Sequence, residues 1–357
     1  MPSNRLDRLP TELLNIIIGF TEDNALRSLS CVSRGLRVIC IPYLFKTLHV
    51  TFSVAGFRRL EQVSDSELAQ YVKEVHYQVP ELIDPYISHL DYFRSCIYTP
   101  EEFIKDQKEQ WWSFRGKSLS YESIYKYFVQ LSAEQQKILS GCDDARTLSI
   151  CLPRFLNLQS FQLVFEDSID QPFHWLATRL FFDWNDSTLM HLETVIDVLI
   201  SLRQHGISIH SFGVSGYNST ARTLAEGFLR KLADALHPVT DIALSDSTDL
   251  LQSLALIPLP SILRLKLGSC WLSIADLGVF SSRHNSRLQQ IHFENVWVPA
   301  NNLQGWGAPL RSECIATIMD KIHVPHESST LQRITVSTKE DSQNEFQDWV
   351  LSRVAFC

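Results

Sequence analysis

The chain has 357 residues, of which 45% are hydrophobic and 20% charged, and its formal net charge is -8 at pH 7. This apolar content is enough for a buried core and argues against general disorder. The negative charge disfavours nucleic acid or an anionic membrane as a partner. The first residues form no apolar signal sequence, and no run of eighteen apolar residues occurs. We therefore expect a protein of the cytoplasm or nucleus.

The sequence contains few signs of chemistry. Its eight cysteines form no CxxC pair, so the spacing typical of a zinc site is absent and we expect no metal. Cys40 lies in an apolar run and is interpreted as a small buried hydrophobe. No Walker A loop, nucleophile elbow, zinc-protease motif or dinucleotide fingerprint occurs. We therefore predict no catalytic residue, no cofactor and no enzymatic activity.

Residues 1–48 contain the pattern of three short helices. In the first, Pro10 suits a helical first turn, and the apolar residues after it recur at helical spacing up to Gly19. The second helix is expected over residues 23–31 and the third over residues 33–40, where Pro42 would end it. Helices this short cannot bury all their apolar side chains among themselves. The surplus is expected either to meet a partner or to pack against the rest of the chain.

The same segment resembles the F-box family. The resemblance rests on Leu9-Pro10, Glu12-Leu13-Leu14, Ile17, Leu26, Val32-Ser33-Arg34 and Leu44-Phe45. Two positions differ, because Leu36 and Phe45 stand where tryptophan is common in the family. The resemblance implies that this segment binds a Skp1-like protein and, through it, a cullin. The contact residues that it implies are Leu9, Pro10, Leu13, Leu14, Ile17 and Leu26.

After the first helices, one short apolar pattern returns eight times: apolar, two residues, apolar, one residue, apolar. Its alternating last members predict a strand with one buried face. Helical stripes precede several of the triplets, including residues 192–202, 224–236 and 315–322. The triplets are Phe45-Leu48-Val50, Val72-Val75-Tyr77, Leu158-Phe161-Leu163, Ile209-Phe212-Val214, Val239-Ile242-Leu244, Ile262-Leu265-Leu267, Leu288-Ile291-Phe293 and Leu331-Ile334-Val336.

Helix and strand in alternation must stack on neighbouring units to bury their apolar faces. From Leu158 onward, the middle intervals between triplets lie near the 20–29 residues of a leucine-rich repeat, and residues 262–272 match its pattern throughout. The longer intervals require insertions, one of them near residues 173–185. Residues 151–357 therefore resemble an irregular leucine-rich-repeat-like α/β solenoid, the alternative being a plain α/β sheet.

Residues 49–150 are predicted to hold linking strands and a helical insertion from about residue 80. Thr99-Pro100-Glu101-Glu102 has the pattern of a capping box, so a helix should begin there, and Ser132 marks another candidate start. Tyr121, Tyr125 and Phe128 supply apolar bulk. The pair Trp111-Trp112 is interpreted as core, with an exposed binding anchor as the alternative.

Side chains between the buried members of each triplet should face the open side of the solenoid. This reasoning selects Ser160, Gln162, Ser211 and Gly213, followed by the candidate substrate-binding residues Asp241, Arg264, Lys266, Gln290, His292, Glu294 and Arg333. The mixture of charges and sizes suits a protein surface better than a phosphate or a metal. The alternative is a solvated face without a ligand.

These features lead to one main hypothesis and two rivals. The chain is expected to be a non-enzymatic adaptor of a Skp1-cullin-F-box ubiquitin ligase, whose repeats hold an unknown protein substrate. A rival is a scaffold that binds Skp1 or another protein but takes no part in ligation. Another is an unrecognised enzyme in the helical insertion.

Overall fold

The structure is a computed structural model that describes residues 9–109, 120–166, 180, 184–217, 224–298, 308–309, 331, 333–337 and 348–350. Within these ranges the protein is α/β, with twelve α-helices and a large, mainly parallel sheet. Buried apolar residues form three clusters, one in the N-terminal helices, one in the helical insertion and the largest between the sheet and its helices.

The N-terminal helices are α1 (Thr11–Gly19), α2 (Asp23–Val32) and α3 (Arg34–Leu44). Ser33 caps α3, accepting a hydrogen bond from the Leu36 N–H at 3.2 Å. The predicted end of α3 is wrong, because Pro42 lies inside the helix. Its ring fixes a helical φ and removes one hydrogen bond near the end of the helix. Packing of Tyr43 and Leu44 against the cluster of Ile18, Leu26 and Cys40 favours continuation of the helix past the proline.

Nine strands form one sheet. They are β1 (Thr47–Thr51), β2 (Glu74–Pro80), β3 (Ser160–Glu166), β4 (Ser211–Ser215), β5 (Asp241–Ser245), β6 (Arg264–Gly268), β7 (Gln290–Glu294), β10 (Arg333–Ser337) and β11 (Asp348–Val350). Their spatial order follows the chain order, and every neighbouring pair is parallel except β10 with β11. A second, antiparallel pair joins β8 (Trp297–Val298) to β9 (Ala308–Pro309). The strand order never reverses within the described chain.

Each of the eight apolar triplets supplies a parallel strand, and the strands pair in register. Their second members form one row across the sheet, from Leu48 to Ile334, and their third members form another, from Val50 to Val336. Both rows face the buried side, and only Val336 among them is not fully buried. The period-2 alternation therefore predicted the buried face correctly.

Helices cover the buried rows. Seven of them contribute to the main core: α4 (Val54–Ser64), α7 (Tyr121–Gly141), α8 (Asp143–Cys151), α9 (Trp184–Gln204), α10 (Glu226–Ala235), α11 (Thr248–Leu256) and α12 (Ile274–His284). The predicted stripe of residues 192–202 is buried on α9, and that of residues 224–236 lies on and around α10. The third stripe, residues 315–322, falls outside the described residues.

The helical insertion leaves the sheet after β2 and returns before β3. It contains α5 (Leu90–Tyr92), α6 (Pro100–Glu109) and α7 (Tyr121–Gly141), besides α8. The capping box is confirmed, because the Thr99 N–H donates to Glu102 at 2.9 Å and the Glu102 N–H donates to Thr99 at 3.1 Å. The predicted start at Ser132 is wrong, since α7 begins after Ser120 and runs through that position.

The insertion has its own aromatic core, in which Phe128 is fully buried and Tyr121 and Tyr125 pack against it. Trp111, Trp112 and most of residues 173–185 lie outside the described residues. Because β1 and β2 belong to the same sheet as β3 and share its main core, the sheet begins at residue 47. The insertion is therefore a branch from one continuous sheet.

The described ranges also contain four shorter helical turns. They are 3-10 helices at Glu67–Tyr71, Pro85–Ser88 and Leu152–Arg154, and a π-helical turn follows α5 at Phe93–Ile97. No helix in the described ranges combines the length and the apolar character needed to cross a membrane.

Each of the four successive strands β4 to β7 is followed by a residue whose backbone is in the left-handed conformation. These residues are Gly216, Asp246, Ser269 and Asn295, with φ between 46° and 75° for the set. The N–H of Asp246 donates to the Gly268 carbonyl at 2.9 Å, and that of Ser269 to the Glu294 carbonyl at 2.8 Å. Each turn is thus bonded to the end of the next strand. Gly216 is needed as glycine, because a Cβ there would lie 2.7 Å from the Phe165 carbonyl oxygen.

Candidate functional site

Within the described chain, the N-terminal helices leave one apolar face uncovered. On and beside α1 the side chains of Leu9, Leu13, Ile16, Ile17 and Phe20 are exposed, Phe20 to 89%. Their spacing follows the helical repeat, so they share one side of the helix. We call these five residues the α1 stripe. Val32 at the end of α2 and Val38 on α3 are exposed as well, to 71% and 69%.

The structure divides the six contact residues that the F-box resemblance implies. Leu9, Pro10, Leu13 and Ile17 are exposed. Leu14 and Leu26 are buried, at 4% and 3% exposure. In this conformation these two stabilise the helices from inside and present no surface to a partner.

Sequence reasoning assigned no contact role to Ile16 and Phe20. The sequence did contain a signal for both residues, because Ile16 follows Leu13 and Phe20 follows Ile17 by three positions on the same helix face. Tertiary packing buries Leu14 and leaves Ile17 exposed, and helical periodicity alone does not distinguish the two.

A second surface that the described residues leave uncovered is the face of the sheet opposite its helices. One row of this open face runs in register across the eight parallel strands. From β1 to β10 this row contains His49, His76, Gln162, Gly213, Ala243, Lys266, His292 and Thr335. Its middle is formed by its two smallest residues, Gly213 and Ala243, and it carries histidines on β1, β2 and β7.

The seven predicted substrate-binding residues lie together on this open face. Asp241, Arg264, Gln290 and Arg333 form one row on neighbouring strands, and Lys266 pairs in register with His292. Glu294 lies at the end of β7. Arg264, Lys266 and Arg333 are exposed, and the other four are half-buried. Ser160, Gln162 and Ser211 are also half-buried on the same face, whereas Gly213 is buried.

Two ion pairs organise the charges of this region. Arg264 binds Asp241 through two hydrogen bonds, one of 2.8 Å from Nη2 to Oδ2. The Nζ of Lys266 lies 2.6 Å from Oε2 of Glu294. Burial opposes ionisation of Asp241, but the hydrogen bonds from Arg264 and Thr240 together outweigh it and lower the pKa of that carboxyl. The hydrogen bond from Lys266 lowers the pKa of Glu294.

His292 stands beside this pair and contacts the Thr335 hydroxyl through Nδ1. Burial, and then the charge of Lys266, lower its pKa below the ordinary value, so its ring is neutral near pH 7. The cluster therefore has compensated charges and neutral donors and acceptors. Such a surface suits the polar and charged side chains of another protein.

The other end of the open face carries a histidine pair that sequence reasoning did not select. The rings of His49 and His76 meet edge to face with centroids 4.9 Å apart. Nε2 of His76 lies 3.3 Å from Oε1 of Glu74. The proximity of His76 and the hydrogen bond from the Thr47 hydroxyl lower the pKa of Glu74 to about 2 against the opposing effect of burial. The triplet pattern around Leu48 and Val75 already predicted that His49 and His76 face outward.

Among the described residues, no group of three or more His, Cys, Asp or Glu side chains is arranged to hold a metal ion. The described cysteines are all free thiols. In comparison with known proteins, the chain matches no protein family, and no curated protein gives a significant match.

Proposed function

We propose that this protein is a non-catalytic F-box-type adaptor. In this proposal, α1 to α3 dock on a Skp1-like protein, which connects the chain to a cullin. The sheet is an irregular leucine-rich-repeat-like solenoid whose open face holds a protein substrate. The observation that carries the proposal is the exposed α1 stripe, which the rest of the described chain does not cover.

The α1 stripe supports a docking role energetically. Burying an exposed Leu, Ile or Phe side chain completely stabilises a complex by about 1.5–3 kcal/mol. Between 40% and 58% of the surface of Leu13, Ile16 and Ile17 is exposed, and the exposed fraction of Phe20 is larger. Covering all of these side chains would therefore stabilise a complex with a partner by roughly several kcal/mol in total. An apolar set of this kind, concentrated on one short helix, is typical of a protein-binding surface.

The connection between the helices and the sheet supports a positioning role. Only two residues separate α3 from β1. The carbonyl of Lys46, one of these two, accepts hydrogen bonds from the N–H groups of Lys73 at 2.9 Å and Glu74 at 3.1 Å. The joint is therefore part of the sheet's hydrogen-bonding network. A short bonded joint would hold a bound substrate at a defined distance from the docked partner, which favours transfer by proximity.

The repeat interpretation is supported by strand order and register. In a doubly wound sheet the strand order reverses, and ligands bind at the reversal. Here the described parallel strands follow one another in chain order, and each adds one residue to each of the two buried rows. Stacked helix-strand units whose outer face stays open are typical of solenoid proteins that bind other proteins.

Binding to a purified Skp1-like protein tests the docking step. We expect Leu13→Asp and Ile17→Asp each to weaken binding at least about tenfold, because a charge would have to be buried at the interface. Val279→Asp is the matched control, since Val279 is an apolar residue on α12 with 55% exposure, outside the α1 stripe. Undiminished binding of the α1 variants, or no binding of the unaltered chain, would contradict the proposal.

A second measurement separates a ligase adaptor from a scaffold. The chain, the Skp1-like protein and a cullin are mixed and passed over a sizing column. A ligase adaptor forms a ternary complex that Ile17→Asp disrupts. A complex that contains the Skp1-like protein but excludes the cullin would support the scaffold instead.

A further inference from the structure

A small cavity lies where the end of α7, the start of α8 and the middle of α9 meet. Its volume is about 140 Å³. It lies on the helix-covered side of the sheet and shares no residue with the α1 stripe or the open face. The lining residues that bear on its chemistry are Leu139, Cys142, Asp144, Met190, His191 and Thr194.

The buried imidazole of His191 is one of the polar groups in the cavity lining. Its side chain is 1% exposed, and Nε2 lies 3.1 Å from the carbonyl oxygen of Pro80. A carbonyl oxygen can only accept, so Nε2 carries the proton and Nδ1 keeps a free lone pair. Burial lowers the pKa of His191 to about 4, so the ring is neutral near pH 7 and does not repel a cation.

Asp144 supplies the charge of the cavity. It is 4% exposed and accepts hydrogen bonds from the backbone N–H groups at the start of α8 and from the Thr194 side chain. No Lys, Arg or His in the described chain forms an ion pair with it. The nearby Arg146 forms an ion pair with Asp143, in which Nη2 lies 2.5 Å from Oδ1. Burial raises the pKa of Asp144, which is the effect of a buried carboxyl without a cationic partner.

The polar groups of the cavity are therefore mainly acceptors. A carboxylate and a neutral imidazole nitrogen complement a group that carries several N–H donors and a positive charge. The side chains of Leu139 and Met190 supply apolar contact beside them. By the volume that a water molecule occupies in the liquid, the space holds roughly five water-sized groups. That is the size of a four-carbon chain ending in an ammonium group.

We propose that this cavity binds a primary alkylammonium group. The ammonium lies between Asp144 and His191 and donates to both. The alkyl chain runs past Leu139 and Met190 towards the exposed rim. The lysine side chain of a protein and a free short-chain amine share this chemistry. The site is independent of the proposed adaptor function, and either could fail without the other.

Cys142 gives a direct readout of occupancy. Its thiol is exposed and lines the cavity, whereas Cys31 and Cys96 are exposed thiols outside it. The alkylation rates of all three by iodoacetamide are followed by mass spectrometry while n-butylammonium is titrated. We expect n-butylammonium to slow alkylation at Cys142 alone. The matched neutral probe, n-butanol, should not slow it.

Two further probes distinguish the sources of the ammonium. They are Nα-acetyl-lysine methylamide and its uncharged analogue, Nα-acetyl-norleucine methylamide. Protection by the lysine compound but not by n-butylammonium would assign the site to a protein lysine. Protection by both would show that a free amine suffices. Equal protection by charged and neutral probes, or by none, would overturn the proposal.

A pair of variants tests the role of the carboxylate. Asp144→Asn should weaken protection by n-butylammonium at least about tenfold, because the neutral amide removes the charge and keeps the shape. Met190→Lys, at a rim position with 41% exposure, places an ammonium within the chain itself. This variant should make the alkylation rate of Cys142 insensitive to added amine. The test therefore remains available if Asp144→Asn proves unstable. Unchanged amine protection in the Met190→Lys variant would overturn the proposal.

Discussion

Leu14 and Ile17 lie three residues apart on α1, yet Leu14 is 4% exposed and Ile17 is 40% exposed. The first stabilises the N-terminal helices from within, and the second belongs to the α1 stripe. Stability and partner binding therefore depend on different residues of one short helix. A substitution at Leu14 would disturb the fold before it reported on binding.

This difference predicts the effect of truncation on the N-terminal helices. Leu14→Ala should destabilise them by roughly 2–4 kcal/mol, because it removes a buried side chain and leaves a cavity. Ile17→Ala should cost less than about 1 kcal/mol, because a half-exposed side chain leaves no cavity. The alkylation rate of Cys40 measures local opening, since this thiol is fully buried in the same helices. Similar rates in the two variants would show that the burial assignment is wrong.

Gly56 and Gly227 both lie in the first turn of a helix and should respond oppositely to alanine. A Cβ at Gly56 would lie 2.1 Å from the Thr51 carbonyl oxygen, whereas nothing lies within 4 Å of a Cβ at Gly227. Gly227→Ala should stabilise the protein by up to about 1 kcal/mol, because alanine favours the helix. Gly56→Ala should destabilise it, because the backbone at the end of β1 must shift. Urea unfolding of both variants checks the two signs.

His191 should make stability fall in mild acid. The unfolded histidine takes up a proton near pH 6.5, but the folded side chain does so only near pH 4, because burial disfavours its charged form. Between these values the unfolded chain binds more protons, so stability is lost as the pH falls from about 6.5 to 4. The loss reaches about 3 kcal/mol by linkage.

The comparison that isolates this effect is His191→Gln. Glutamine does not titrate, and its amide N–H can donate to the Pro80 carbonyl in place of Nε2. Other buried histidines, such as His284, remain in both proteins and cancel from the difference. Urea unfolding at pH 7 and pH 4.5 should show a smaller loss for the variant. Parallel pH profiles would disprove the assignment.

The ion pair of Arg264 and Asp241 should contribute little to folding. The Arg264 side chain is 59% exposed, so solvent screens the attraction. A double-mutant cycle with alanine at both positions should give a coupling of at most about 1 kcal/mol, decreasing with added salt. Lys126 and Glu122, exposed to 71% and 72%, form the control pair and should couple more weakly still. A larger, salt-independent coupling of Arg264 and Asp241 would mean that the open face is covered.

The alternation of apolar residues determined much of the sheet in advance. Leu265 and Leu267 turn inward and Lys266 outward because successive side chains of a strand point to opposite faces, whatever the fold. The same rule placed His292 and Arg333 on the open face. The capping box at Thr99 was equally predictable, because its hydrogen bonds join residues three positions apart. All of these are local relationships.

Relationships between distant residues were not predictable in this way. Ser132 has the pattern of a helix start, but it lies inside α7, where it is buried by tertiary packing. Pro42 was expected to end α3, and packing overrode that local preference. Asp144 and His191 are 47 positions apart and carry no spacing signal, yet they line the same cavity.

The sequence by itself determined which residues could be buried, because the periods of helix and strand are properties of the backbone. Only the tertiary structure decided which apolar residues stay exposed, since that depends on which surfaces the neighbouring elements cover. Leu14 and Ile17 are equally apolar at helical spacing, and the packing of the helices around α1 separates them. The same holds for Asp144, because only the positions of the surrounding side chains show that no Lys, Arg or His of the described chain forms an ion pair with it.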